Sequence, residues 1–227
     1  MWKGSSLFLY EEIMLLALKD KEGTIASNTM YQIAIGAAIL SDLLLRNHIS
    51  IDNSKNKLVS VVSDKQFEDP IINDCLEIIS TSKKKKTLKD WVTKFSNLKD
   101  LKHRAARQLC KRGILKEDED KVLIFFTRKI YPEINPIPEK QLIDRLRKAI
   151  FTATREIEMS TIVLISLAHN TNLLKVVFDK KKLKERKDRI EKIISGDMAG
   201  AAAKEAIEAM QAAIIVAVII PTVIISS

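Results

Sequence analysis

Lys99 and Lys102 carry the sharpest chemical signal in the chain. On a helix, side chains three positions apart stand about 5–6 Å from one another, so two ammonium groups can converge on one phosphate. The helix expected to carry them runs from Leu98 to Arg112, because Leu98, Leu101, Ala105 and Leu109 recur on one face. Arg104, Arg107 and Lys111 then fall on the exposed back, where Arg104 and Arg107 would add longer-range attraction for an anionic partner. A helix with a merely solvated basic face is the plain alternative. Beyond Gly113, the run Val122-Leu123-Ile124-Phe125-Phe126 is apolar throughout, whereas a half-exposed strand should alternate. These residues are either ordinary core or an exposed finger whose Leu123, Ile124, Phe125 and Phe126 enter lipid. A basic patch beside such a finger suits an anionic membrane surface: charge attracts, and inserted side chains hold.

Enzyme chemistry finds little to work with. His48, His103 and His169 lie far apart and lack neighbouring ligands at metal spacing, so neither a metal nor a cofactor is expected. The six glycines are scattered singly, with no phosphate-cradling loop. Glu11 and Glu12 are adjacent, and adjacent helical residues point about 100° apart, so the pair reads as a charged helix flank rather than an acid–base couple. The basic helix followed by a hairpin also fits a winged helix-turn-helix that would bind nucleic acid. Against that, the helix has no base-reading row beyond Gln108, and an apolar hairpin makes a poor phosphate-contacting wing.

The elements that must position these groups are mostly helical. A chain of 227 residues, 46% hydrophobic and 30% charged, can bury one sizeable core and reads as a single domain over 1–227. Helices are expected at Leu7–Leu18, closed by Gly23, and at Thr29–Arg46, Pro70–Ser80, Thr87–Phe95 and Leu98–Arg112. More follow at Glu139–Thr154, Ile157–His169, Leu183–Ser195 and Ala199–Ile220. Two short hairpins interrupt them. The first joins Ile49–Asp52 to Lys57–Val61; the second, protruding one joins Ile114-Leu115 to Val122–Phe126 through an acidic turn, Lys116–Asp120. Helix, Arg46-Asn47-His48-Ile49, hairpin is faintly echoed by helix, Arg112-Gly113-Ile114-Leu115, hairpin. The fold class is therefore mainly α.

A formal charge of +9 favours anionic partners without choosing among them. Only Cys75 and Cys110 occur, which suits a reducing compartment. The N-terminus lacks the pattern of a signal peptide. The most apolar stretch, Ala212 to Ile225, contains Pro221 and falls short of the ~20 residues that span a bilayer. A cytoplasmic protein with peripheral membrane contact is the expectation.

Several of these segments resemble the Golgi phosphoprotein 3 family. Leu7 to Gly23, LFLYEEIMLLALKDKEG, is similar to that family's opening pattern. ILSDLLLRNHI (Ile39–Ile49) resembles its helix ending in Leu-x-Leu-Arg, and Leu98–Leu115 its basic helix ending in Gly-hydrophobic-Leu. Val122–Phe125 falls on its apolar hairpin tip and Leu167-Ala168-His169 on a late helix. The resemblance implies a non-enzymatic peripheral adaptor that binds phosphatidylinositol 4-phosphate, inserts the hairpin and holds the cytosolic tails of client proteins. A second copy of the chain is a further candidate partner. The family's headgroup pocket uses a Trp, an Arg from the second helix and two Arg on the basic helix. The last two fall on Lys99 and Lys102, which keep charge but lose the bidentate fork. The Trp position falls near Ser27 or Asn28 and the second-helix Arg at Gly36 or Ala37, so those side chains are missing.

Overall fold

The computed structural model describes residues 6–19, 22–52, 57–122 and 126–198. Its centre is helix α1 (Leu9–Ala17), in which every residue is buried. So complete a burial needs neighbours on all sides, and α1 packs against α2 (Tyr31–Leu45), α5 (Leu101–Lys111), α6 (Ile137–Phe151), α7 (Met159–Asn170) and α8 (Leu174–Val177). Helix α7 is likewise buried from Thr161 to Ala168, as its run of Ile, Val and Leu requires. Two shorter helices lie between α2 and α5. Asp69 opens α3 (Pro70–Ser80) by accepting from the Ile71 and Ile72 amides at 2.9 Å, with Pro70 where its missing N–H costs nothing. Thr87 and Asp90 open α4 (Leu88–Ser96) with a reciprocal box. Helices α9 (Lys180–Glu185) and α10 (Lys187–Ile194) close the described fold, α10 lying on α7.

Among the described residues three antiparallel two-stranded sheets accompany the helices, one more than the sequence suggests. Strands β1 (Leu18–Lys19) and β2 (Thr24–Ile25) pair around Gly23, whose φ of +60° suits glycine. Gly23 also abuts the chain: a Cβ there would meet the backbone of Tyr131 and Pro132 at 2.3–2.5 Å. Strands β3 (Ile49–Ile51) and β4 (Val59–Val61) form the first expected hairpin. The second hairpin has a different register from the expected one. Asp118 to Asp120 of the segment read as an acidic turn belong to a strand, β5 (Asp118–Val122), which pairs with β6 (Phe126–Ile130), the ladder ending at Val122 opposite Phe126. Cross-strand charge explains the shift: Asp120 lies opposite Arg128 and Glu119 opposite Lys129.

The faint repeat has a structural counterpart. Helix α2 ends with Asn47 at φ +56° and the His48 amide on Leu43 O at 2.9 Å; α5 ends with Gly113 at φ +70° and the Ile114 amide on Leu109 O at 3.0 Å. Both are left-handed caps of the same form. They deliver Arg46 and Arg112 to one side of α1, Arg46 stacking over Phe8 at 4.6 Å and Arg112 pairing with Glu11 at 2.6 Å.

Glu11 and Glu12 are therefore not a solvated flank. Both are buried and diverge: Glu11 to Arg112, and Glu12 to Arg145 of α6 at 2.7 Å. Cys75 and Cys110 are free thiols. Among the described residues no helix is long and apolar enough to cross a membrane, and no group of His, Cys, Asp and Glu is arranged to hold a metal ion. The expected helix Ala199–Ile220 lies outside the described residues.

Candidate anion-binding groove

A groove of about 630 Å³ lies between α5, strand β2 and the base of the β5–β6 hairpin. Helix α5 contributes Lys102, His103 and Arg107, with Asp100 at its N-cap. Strand β6 contributes Thr127, Arg128 and Lys129, and β2 contributes Thr24 and Ile25. Local sequence sets each wall. The apolar stripe of Leu101, Ala105, Ala106 and Leu109 buries one face of α5 and turns Lys102, His103 and Arg107 out of the core. The Gly23 turn is pinned to the hairpin by the Tyr131 amide, which donates to Gly23 O at 2.9 Å, and this brings β2 alongside β6.

Four cations and one carboxylate, Asp100, thus line the groove. Three of the four are tethered. Glu117 accepts from Arg107 Nε at 3.1 Å and from Lys129 Nζ at 2.7 Å; Arg128 pairs with Asp120 at 2.7 Å. These contacts hold the Glu117 carboxyl below the usual range. Lys102 is half-buried and has no ion-pair partner among the described residues. Burial, and then the neighbouring Arg128 charge, push its ammonium below the ordinary lysine value. His103 Nδ1 is 2.8 Å from the Tyr131 hydroxyl. Burial, followed by Lys102 and Arg107, lowers the imidazole, while burial and Glu117 raise the Tyr131 phenol to about 12. The groove is a cationic concavity with neutral hydrogen-bonding groups in its wall, a chemistry suited to a phosphate or another compact anion.

The residues singled out by sequence do not all meet there. Helix α5 begins at Leu101, not Leu98, because Asp100 adopts a left-handed conformation with φ +55°. Lys99 accordingly sits in the preceding turn, exposed and outside the groove lining, and the expected helical pairing of Lys99 with Lys102 is not formed. Arg104 turns away to pair with Asp74 of α3. Arg107 does line the groove, though bound to Glu117. Leu123, Ile124 and Phe125 lie outside the described residues, and of Phe126 only the backbone pairing with Val122 is described.

Arg128, Lys129 and His103 were not foreseen as groove residues. One signal could have exposed the two cations: acidic Glu117–Asp120 and basic Arg128-Lys129 flank the apolar run symmetrically, the pattern of a hairpin whose strands attract. The absent second-helix arginine has a steric explanation. Gly36 faces α4 so closely that a Cβ would come within 2.5 Å of Ser96 Oγ and 2.9 Å of Val92 O. Ser27 and Asn28, where an aromatic side chain would be expected, are exposed. The winged-helix alternative loses ground as well: Arg104 and Arg107 are paired to carboxylates, and β5 presents Asp118, Glu119 and Asp120 where a wing should meet phosphates.

Comparison with known proteins finds relatives of this chain. Vacuolar protein sorting-associated protein 74 of Schizosaccharomyces pombe is 23% identical over 168 residues, which cover 65% of this chain and 48% of the relative. The chain therefore spans about half the length of that curated relative. A family model described as Golgi phosphoprotein 3 (GPP34) matches residues 9–210, from the first turn of α1 past the end of α10. With a match over most of its length, this chain belongs to the Golgi phosphoprotein 3 family.

Proposed function

We propose that the chain is a non-enzymatic peripheral membrane adaptor whose groove takes the phosphorylated headgroup of an anionic lipid of the phosphatidylinositol 4-phosphate type. The observation that carries this reading is Lys102, a half-buried groove cation that has no ion-pair partner among the described residues and is repelled by the neighbouring Arg128 charge. An arriving phosphate would relieve that repulsion, and each cation brought to an anionic surface contributes about 1 kcal/mol. Arg128 spends its Nε and Nη2 on Asp120 and keeps further N–H groups for a phosphate oxygen. Strand β6 thus supplies the charge that α2 has no room to supply. Lys99 and Arg104 act at longer range, and Arg107 braces the wall. Leu123, Ile124, Phe125 and Phe126 enter the lipid beside the bound headgroup. The relative's name associates it with protein sorting; carried to this chain, that gives an adaptor joining a membrane surface to the cytosolic tail of a client protein.

The test is co-sedimentation with vesicles of neutral lipid, of neutral lipid plus phosphatidylserine, and of neutral lipid plus phosphatidylinositol 4-phosphate. Preferential binding to the last, reduced about tenfold in Lys102→Ala combined with Arg128→Ala, is the expected outcome. Binding that is equal on both anionic vesicles, or unchanged in the double variant, refutes the headgroup assignment. Loss of binding in Phe125→Ser combined with Phe126→Ser, with helical circular dichroism retained, assigns insertion to the hairpin end.

A further inference from the structure

A second groove, of about 340 Å³, lies among α8, α9, α10 and the end of α7, which contributes His169, and is built from elements other than those that form the headgroup site. Its floor is aliphatic: Leu174 and Ile190 are each 1% exposed, and half-buried Leu183 lies with them. Its rim is cationic, formed by Lys175, Lys180, Lys184 and Lys187. Lys175 donates to Asn172 Oδ1 at 2.7 Å, and Lys187 pairs loosely with Glu191 at 3.6 Å. Lys180 and Lys184 have no carboxylate partner among the described residues. They lie four apart on α9, a spacing at which like charges repel along a helix. Helix α9 has no fully buried residue and packs on the core through Leu183.

We infer that this groove docks an acidic peptide segment of a partner protein, its carboxylates on the lysine rim and an aliphatic side chain against Leu183. Charge complementarity selects the sign of the partner, and the recessed apolar floor selects its form. A flat bilayer would reach the ammonium groups but not a floor that lies beneath them. A single-chain carboxylate amphiphile offers one charge to a rim of four. A nucleic acid would leave the aliphatic floor unused, and no Phe, Tyr or Trp lines the groove for base stacking; the one ring there is the His169 imidazole.

Fluorescence anisotropy with a labelled probe peptide, a Leu-Leu pair between runs of glutamate, tests the inference on the full chain. Saturable binding is expected, weakened about tenfold in Lys180→Glu combined with Lys184→Glu, two exposed changes that leave the fold intact by circular dichroism. A probe with serine in place of the leucines should bind comparably less well. The Lys102→Ala, Arg128→Ala variant should bind the parent probe normally, which separates this site from the headgroup groove. The inference is overturned if the wild type does not bind the probe, if charge reversal leaves binding unchanged, or if the serine probe binds as well as the parent. Loss of probe binding in the Lys102/Arg128 variant, or a charge-reversal loss confined to phosphatidylserine vesicles or duplex DNA, also overturns it.

Discussion

Arg112→Met is the perturbation whose consequence follows most directly from the structure. Glu11 is fully buried, accepts the Phe8 amide at 2.9 Å and meets Arg112 Nε at 2.6 Å. Burial raises its carboxyl above the usual range even though Arg112 opposes the shift. Removing the guanidinium leaves a buried charge with one amide as its remaining hydrogen-bond partner in that pair of contacts. Breaking a buried ion pair on one side costs about 3–5 kcal/mol. The Arg112 side chain is 21% exposed, so water reaches part of the pair and the lower figure, about 3 kcal/mol, applies. For a chain of this size that is a fall of about 6–12 °C in Tm. The pH dependence carries a definite sign. Without Arg112 the folded-state pKa of Glu11 rises further above the unfolded value of about 4.3, so the penalty is full above that raised pKa. It shrinks as pH falls toward the unfolded value, because Glu11 then takes up a proton in the folded state. Thermal melts followed by circular dichroism at about pH 8 and about pH 5 should therefore show a larger deficit at the higher pH. Adding Glu11→Gln should recover most of the loss, since the amide oxygen still accepts from Phe8. A deficit below about 1 kcal/mol, or one that grows on acidification, would refute the assignment of this pair as the tie between α1 and α5.

Two further outcomes follow from the groove and its surroundings. Gly36→Ala should destabilise by about 1–3 kcal/mol in chemical denaturation, because the new methyl must displace α4 at Ser96; Gly36→Arg, which reinstates the family's charge, should cost more rather than improve lipid binding. In vesicle binding, His103 is neutral near pH 7 because its imidazole is held below the ordinary value, and a bound anion favours its charged form. Wild-type affinity relative to His103→Gln should therefore rise as pH falls from about 7.5 to about 5.5, and a constant ratio would remove His103 from the site.

Much of the helical framework was legible in sequence because its signals are local. Pro70 preceded by Asp69, the Thr87–Asp90 box and Gly113 mark ends whose backbone requirements are met within a few residues, whereas Gly23, expected to close the first helix, turns the β1–β2 pair instead, since α1 already ends at Ala17. The stripe on α5 was legible for the same reason, since period alone assigns Leu101, Ala105 and Leu109 to the core. The groove was legible only in part. Lys102 and Arg107 were singled out and line it, but Lys99 was assigned to a helix that starts later, at a left-handed Asp100 that periodicity does not reveal. The hairpin register was missed because five apolar residues look like a strand. Charge pairing across the turn, Asp120 with Arg128 and Glu119 with Lys129, prevailed over that appearance.

By itself, the sequence determined the mainly α class, the order of most helices and the basic sign of the surface, properties of local periodicity, capping and composition, while its motifs carried the family likeness. Only the tertiary structure decided which cations share a cavity, because Lys102 and Arg128 meet through the docking of the Gly23 turn on the hairpin base. It likewise decided that Glu11 and Glu12 are buried and held by different arginines, and that Gly36 leaves no space for another. Pairings such as Glu11 with Arg112 join residues about a hundred positions apart. Burial energy and steric exclusion at that range depend on what the folded chain brings alongside, which no local pattern encodes.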